Sequence, residues 1–229
     1  GEHKEGQICT FGKNEAYDVT AAAEFVKTHP QLKDLPILGY GFSMGAAATI
    51  EALAQKPDLF KAVILDCPFD STENIMKKLI KSLKFSFFGY EVELPGLRYL
   101  EKHPFHPYVQ ECITLLLKTV PHMDAKNIQT YMHRFSPVES IQKVHVPCLM
   151  IHCKNDIRVP VEAIYSLFNG AKGPKKLWIT NGRGHFDSIF FNPEYYAKRI
   201  SNFYEKVLNG KAYKLQSKVV FDEEKTEKG

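Results

Sequence analysis

The sequence predicts an α/β fold with a mainly parallel sheet flanked by helices. Short apolar runs of strand length recur along the chain, and segments with helical spacing of apolar residues lie between them. Loops rich in glycine and polar residues follow these runs, which is typical of strand ends. The predicted strands are 36–42, 62–67, 148–153 and 176–181.

The first and last helices have recognisable ends. Asn14 is a plausible N-cap for a helix over 14–29, whose predicted buried face is Val19, Ala22, Ala23 and Val26. Asn192 and Pro193 open the last helix, which ends near Gly210. Its apolar stripe predicts packing on the sheet; the stripe consists of Tyr196, Ile200, Phe203, Tyr204 and Val207.

The segment Gly41-Phe42-Ser43-Met44-Gly45 lies between a predicted strand and an alanine-rich helix. Strand, G-x-S-x-G and helix together form the pattern of a nucleophile elbow, which exposes a serine hydroxyl above the sheet. The flanking glycines are expected to let the two backbones approach closely. Ser43 is thus the candidate nucleophile, and the Met44 backbone N–H the candidate oxyanion donor. The alternative is a tight turn that happens to carry a serine.

Asp156 and His185 each come just after a predicted strand. Parallel α/β sheets place their chemistry at the carboxyl ends of strands. A histidine there can take the serine proton and later return it, and an aspartate can orient the imidazole. The sequence therefore predicts a triad of Ser43, Asp156 and His185. Asp66, which ends the 62–67 strand, remains an alternative acid.

With these motifs the chain resembles the α/β-hydrolase superfamily, in particular bacterial hydrolases of the serine aminopeptidase and esterase-like branch. The resemblance runs from about residue 7 to about residue 208. The matching stretches are 10–19, 41–45, 62–69, 155–160 and 184–185.

The resemblance also implies four strands and a helix ahead of the 14–29 helix, and only residues 1–13 precede it. The expectation is therefore the second half of an α/β-hydrolase fold, without the family's second oxyanion donor. Strand 36–42 would become an edge strand, open to pairing with a second copy of the chain.

Three regions are predicted on this basis. Residues 1–69 and 147–210 form the hydrolase core, and 211–229 form a tail in which 213–221 could add a short strand. Residues 70–146 form a helical insertion, because Ile75, Leu79, Leu83 and Phe87 recur every four residues. In the family such an insertion caps the active site.

Aromatic residues near the predicted site suggest a substrate pocket. The candidate substrate-binding residues are Phe42, Phe85 and Phe88. Packing between the cap and the core is the alternative role for the insertion's aromatic residues.

Composition narrows the class of function. The net charge of +4 comes from scattered lysines, which favours a solvated surface over a nucleic-acid site. Five cysteines without C-x-x-C spacing argue against a disulfide framework or a zinc site. No carboxylate or thiolate joins His103 and His106 at ligand spacing, and no apolar run is long enough to span a bilayer. A cytoplasmic protein without cofactor, metal, nucleic-acid partner or membrane partner is expected.

Two functions fit the sequence. The first is a serine hydrolase that acts on acyl esters, or less readily on amides or small peptides, through an acyl-enzyme. The second is a catalytically silent, truncated half-domain of hydrolase type that works by association, with a homodimer joined at the sheet edge as the candidate assembly.

Overall fold

The structure is a computed structural model that describes residues 10–81, 84–87, 90–93, 97–111, 133–212 and 217–222. The chain opens with α1 (Glu15–Thr28), β1 (Leu38–Phe42), α2 (Met44–Gln55) and β2 (Ala62–Asp66). Next come α3 (Thr72–Lys81), β3 (Lys84–Phe87), β4 (Tyr90–Glu93) and α4 (Leu97–Lys102), and residues 107–111 are also helical. After α5 (Pro137–Ser140) and the 3-10 turn Ile141–Lys143 follow β5 (Cys148–Cys153), α6 (Val161–Gly170), β6 (Lys175–Thr180), α7 (Asp187–Phe191), α8 (Pro193–Leu208) and β7 (Lys218–Phe221).

Within the described residues the main sheet has five strands in the order β1-β2-β5-β6-β7, and all their pairs are parallel. The four strands predicted from the sequence are all present, and the fold class is confirmed. Among the described residues β1 pairs only with β2, so it lies at an edge of the sheet as predicted. Parallel strands all end on one side, which brings the ends of β1, β2, β5 and β6 together.

Helices cover both faces of this sheet. On one face α1, α2 and α6 pack around residues such as Ile50, Leu53 and Ile164. On the other face α8 contributes Tyr196, Phe203 and Val207, which pack on β2, β5 and β6. The Asn192 side chain accepts the Tyr195 N–H at 3.2 Å, so the N-cap predicted for the last helix is confirmed. No helix in the described ranges has the length and apolarity needed to cross a membrane.

The first helix differs from its prediction. Asn14 makes no side-chain capping bond, and the buried face is Ala16, Thr20 and Ala23. Small residues are buried there because α1 packs closely against the start of α2. Val19 and Val26 instead line a cavity of about 510 Å³ beside β1.

The chain divides into two compact units, of which one comprises residues 12–70 and 137–229 and contains the main sheet. The other comprises residues 1–11 and 71–136. Its described part has a small core around Met76, Ile80 and Val109. Thr72 closes this unit, because its side chain donates to the His133 carbonyl at 2.9 Å and accepts the Phe135 N–H at 2.9 Å.

The segment predicted as a helical insertion also contains a pair of strands. Helix α3 ends at Lys81, and β3 and β4 pair as an antiparallel hairpin with Phe87 opposite Tyr90. Aromatic and β-branched residues favour strands, and here they outweighed the four-residue spacing that extended the predicted helix to Phe87. Residues 112–117 of the predicted insertion lie outside the described residues.

Part of the predicted tail belongs to the main sheet. Residues 218–221 form β7, which pairs in parallel with β6. Asp222 follows the strand and accepts the indole N–H of Trp178 at 2.7 Å and the Asn181 N–H at 3.2 Å. The first bond ties the end of β7 to β6, and the second ties it to the loop that carries His185.

Candidate active site

Ser43 occupies the sharp turn between β1 and α2. Its φ is 45° and its ψ is −113°, a conformation that non-glycine residues rarely adopt and that costs about 1–3 kcal/mol. The Ser43 N–H donates to the Asp66 carbonyl at 2.8 Å, and the Ser43 carbonyl accepts the Ala47 N–H at 3.0 Å. Helix α2 thus begins directly after the serine, at Met44.

One of the two flanking glycines is required by close packing. A Cβ at Gly41 would lie 2.8 Å from the Ala46 Cα and 2.8 Å from the Gly45 carbonyl oxygen. A Cβ at Gly45 would meet no atom within 4 Å. The expectation that both glycines permit the close approach is therefore wrong for Gly45, because a side chain at that position would point into open space.

His185 lies in the loop between β6 and α7 and reaches the serine. Its Nε2 is 3.0 Å from Ser43 Oγ, and its Nδ1 is 2.5 Å from Asp156 Oδ2. A carboxylate only accepts hydrogen bonds, so Nδ1 carries the proton and Nε2 accepts from the serine hydroxyl. The next residue, Phe186, has a φ of 67°, and this left-handed turn leads directly into α7.

Asp156 follows β5, and the loop around it forms a close cradle. Its Oδ1 accepts the backbone N–H groups of Arg158 at 2.8 Å and Val159 at 2.9 Å. Burial opposes ionisation, but the hydrogen bonds from His185, Val159 and Arg158 outweigh it and hold the pKa of Asp156 below its ordinary value. The carboxylate is therefore charged and pointed at the imidazole.

The rival acid, Asp66, lies in a different environment. It is fully buried at the end of β2, and its Oδ2 accepts the Tyr196 hydroxyl at 2.5 Å. Tyr196 in turn shares a short hydrogen bond with the hydroxyl of Tyr40. Burial raises the pKa of Asp66 to about 7, and hydrogen bonds from Tyr196 and Cys67 offset only part of the effect. The Nδ1 of His185 is bonded to Asp156, so the geometry favours Asp156 as the orienting acid.

His152 supports the acid loop from within β5. It is fully buried, and its Nε2 donates to the Val159 carbonyl at 3.0 Å. Burial lowers the pKa of His152, which keeps the imidazole neutral. Because Val159 also donates to Asp156, this bond helps to hold the cradle. The sequence contains no signal for this contact of His152 with Val159.

Cys67 is the neighbour that sequence reasoning missed. It has a φ of 50°, and its sulfur lies within 4.8 Å of donor atoms of Asp156 and His185. A hydrogen bond with Cys153 and burial raise the pKa of the Cys67 thiol. Among the described residues these three side chains form the one cluster whose donor atoms could hold a metal ion. Since two of them are hydrogen-bonded to each other, a metal would have to separate that pair.

The predicted pocket residues are only partly described. Phe42 is half-buried and contacts Tyr40 and Phe186 edge-on, with ring centroids 4.7 Å and 5.7 Å away. The Phe186 ring lies 4.1 Å from the His185 ring, which places Phe42 beside the site. Phe85 belongs to β3, and Phe88 lies outside the described residues.

Comparison with known proteins relates the chain to hydrolases. Residues 8–119 match the model of the prolyl oligopeptidase family. The uncharacterized protein YqkD of Bacillus subtilis is 26% identical over 203 residues, which are 88% of this chain and 58% of that protein. The polyketide transferase grgF of a Penicillium species is 24% identical over 211 residues, 85% of this chain and 70% of that protein.

Solved structures share the fold. An esterase of Pyrococcus furiosus aligns with a TM-score of 0.59 and 20% identity, over 86% of this chain and 63% of that chain. An acylaminoacyl peptidase of Pyrococcus horikoshii aligns with a TM-score of 0.53 and 21% identity, over 86% of this chain and 28% of that one. The chain thus spans less than two thirds of YqkD and of both these structures. The parallel sheet, the serine turn and these likenesses show that the chain has the α/β-hydrolase fold.

Proposed function

We propose that the chain is a serine hydrolase that acts on acyl esters, with amides or small peptides as the alternative substrate class. The observation that supports this proposal is the hydrogen-bonded series from Ser43 through His185 to Asp156. Esterases and a peptidase are among the proteins that share the fold. A nucleophile, a base and an orienting acid in contact are the parts that acyl transfer needs.

The reaction proceeds in two steps. Ser43 Oγ attacks the carbonyl carbon while its proton moves to His185 Nε2, and the carbonyl oxygen becomes an oxyanion. The oxyanion is held in part by the Met44 N–H at the start of α2. The bond to the leaving alkoxide then breaks, and His185 protonates that oxygen. A water molecule, deprotonated by His185, releases the acid and regenerates the serine.

A fluorophosphonate probe tests the nucleophile. We expect labelling at Ser43, loss of labelling in Ser43→Ala, and a fall of about a millionfold in p-nitrophenyl acetate turnover. Ser166→Ala is the matched control, because the exposed Ser166 hydroxyl only bonds the Glu162 carbonyl at 3.1 Å. Folded protein that is not labelled at Ser43 would contradict the proposal.

The substrate pocket is proposed to include Phe42, Phe85 and Phe88, with residues 70–146 as its cap. Turnover of p-nitrophenyl esters with increasing acyl length would test this. Phe42→Ala and Phe85→Ala should raise KM for long acyl chains more than for acetate, because less apolar surface is buried with the substrate. A uniform loss across the series would mean that these rings do not contact the acyl chain.

A second candidate function is association through the edge of the sheet. Among the described residues β1 has no partner on its outer side, and the cavity of about 510 Å³ beside it is lined by apolar residues of α1 and β1. We propose that a second copy covers this edge with two-fold symmetry. Light scattering should give the mass of a dimer for the unaltered protein. Ala22→Asp places a charge in the cavity wall and should give the mass of a monomer. Ala197→Asp, on the exposed side of α8, is the control. A monomer mass for the unaltered protein would contradict the proposal.

A further inference from the structure

A second cavity lies at the end of the sheet opposite to Ser43. It has a volume of about 300 Å³ and is formed between α8 and the first halves of β5 and β6. Leu149 and Phe203 are its buried apolar lining, and Leu149 is the second residue of β5. Ser43, Asp156 and His185 all follow the carboxyl ends of strands. The cavity is therefore separate from the proposed active site.

Cations dominate the polar lining of this cavity. They are Lys176 from β6 and Lys198, Arg199 and Lys206 from α8. Within the described residues none of the four forms an ion pair with a carboxylate. Cations gathered around one cavity give it a positive potential, which attracts anions.

The pKa of Lys176 is affected by the neighbouring cations. It is half-buried, and Lys218 of β7 pairs with it in the sheet register. Burial lowers the pKa of Lys176, and so does the charge of Arg199, Lys206 and Lys218. An anion in the cavity would offset both effects.

Arg199 is held in place before any ligand arrives. Its guanidinium carbon lies 4.8 Å from the ring centres of both Trp178 and Tyr195. It also donates a short hydrogen bond to the Tyr195 hydroxyl. A guanidinium fixed in this way loses little freedom on binding, and its planar fork matches the oxygens of a phosphate group.

We propose that this cavity binds a small ligand bearing phosphate with at least two negative charges. The phosphate would face the cations, and an apolar part of the ligand would contact Leu149 and Phe203. The volume accommodates a small molecule or a headgroup. The ligand is therefore either a soluble phosphorylated compound or the phosphomonoester headgroup of a lipid.

Titration with inorganic pyrophosphate tests the proposal without relying on hydrolase activity. Calorimetry should show saturable binding, and the emission of Trp178, the single tryptophan, should change because Arg199 stacks on it. Arg199→Gln and Lys176→Gln should each weaken binding about tenfold, and Arg199→Lys should recover part of the loss. Circular dichroism establishes that each variant is folded.

Lys143→Gln is the matched control, because it removes the same charge from an exposed position in the 3-10 turn of the same unit. Vesicles of phosphatidylcholine with and without phosphatidic acid distinguish the two ligand sources. If the protein is retained on phosphatidic acid vesicles and Arg199→Gln abolishes this retention, the ligand is a lipid headgroup. If the protein binds pyrophosphate but not the vesicles, the ligand is a soluble compound. The proposal is overturned if neither probe binds, or if Lys143→Gln weakens binding as much as Arg199→Gln.

Discussion

Two aspartates at the ends of neighbouring strands show how surroundings decide the role of a carboxyl group. Asp66 ends β2 and Asp156 follows β5, so both lie at the carboxyl ends of neighbouring parallel strands. Asp156 accepts two backbone N–H groups and the imidazole of His185, which lower its pKa. Asp66 is more deeply buried, and its pKa rises to about 7. Burial and the hydrogen-bond donors around each carboxyl group, more than its place at the end of a strand, separate the two.

The largest effect is expected for Asp156→Asn. The amide N–H at this position would donate to His185 Nδ1, which leaves the imidazole in the wrong tautomer. Turnover should therefore fall about ten-thousandfold. Steady-state hydrolysis of p-nitrophenyl acetate measures this. A loss of less than tenfold, in protein that still binds the fluorophosphonate probe, would remove Asp156 from the proposed triad.

The next effect is on stability and comes from the raised pKa of Asp66. The folded-state pKa of about 7 lies above the ordinary value of 3.8, so the folded state keeps a proton that the unfolded state loses between these values. The free energy of unfolding should therefore decline as pH rises from about 4 to about 7, by up to about 4 kcal/mol. Above pH 7 this contribution is constant.

Urea denaturation across this pH range, compared with Asp66→Asn, isolates the effect, because the variant cannot titrate. Asp34→Asn is the control, since Asp34 is exposed. Asp156 has the opposite effect on the free energy of unfolding. Its lowered pKa stabilises the folded state at pH values above the ordinary pKa of an aspartate, and this stabilisation is lost as the pH falls. Parallel stability curves for the unaltered protein and Asp66→Asn would contradict the raised pKa.

A smaller change is expected for Tyr196→Phe. The substitution removes the hydroxyl that donates to Asp66, leaving a buried carboxyl with one donor fewer. Unfolding free energy should fall by about 1–3 kcal/mol, and the pKa of Asp66 should rise further. Tyr165→Phe is the control, since the Tyr165 hydroxyl has no partner in the described part of the chain. Equal losses in the two variants would mean that the Tyr196 bond contributes nothing.

The smallest effect is that of Asp66→Asn on turnover. An amide keeps the shape of the side chain and can still accept from Tyr196, so turnover at neutral pH should change less than tenfold. This measurement belongs beside that of Asp156→Asn. If Asp66→Asn inactivates the protein and Asp156→Asn does not, the two roles are reversed.

Features that depend on neighbours in sequence were predictable. Strand 148–153 has the bounds predicted for it, because a buried parallel strand is a continuous apolar run. The N-terminus of α8 was also predictable, because Asn192 and Pro193 act on the backbone within one turn. The hairpin of β3 and β4 was not predictable, because its residues fit a helical spacing as well as a strand pattern. The pairing of the two strands in the folded chain determines which of the two forms.

For the candidate site, the sequence by itself determined which residues could act, because G-x-S-x-G and the polar loops after strands are local patterns. It left Asp66 and Asp156 as rivals, since both follow apolar strands. Tertiary structure gives them different surroundings through burial and through hydrogen-bond partners from distant segments, Tyr196 for Asp66 and His185 for Asp156. The tertiary structure also places Lys176 and Arg199 in the lining of one cavity. Electrostatic environment depends on distance in space, and a linear sequence does not contain those distances.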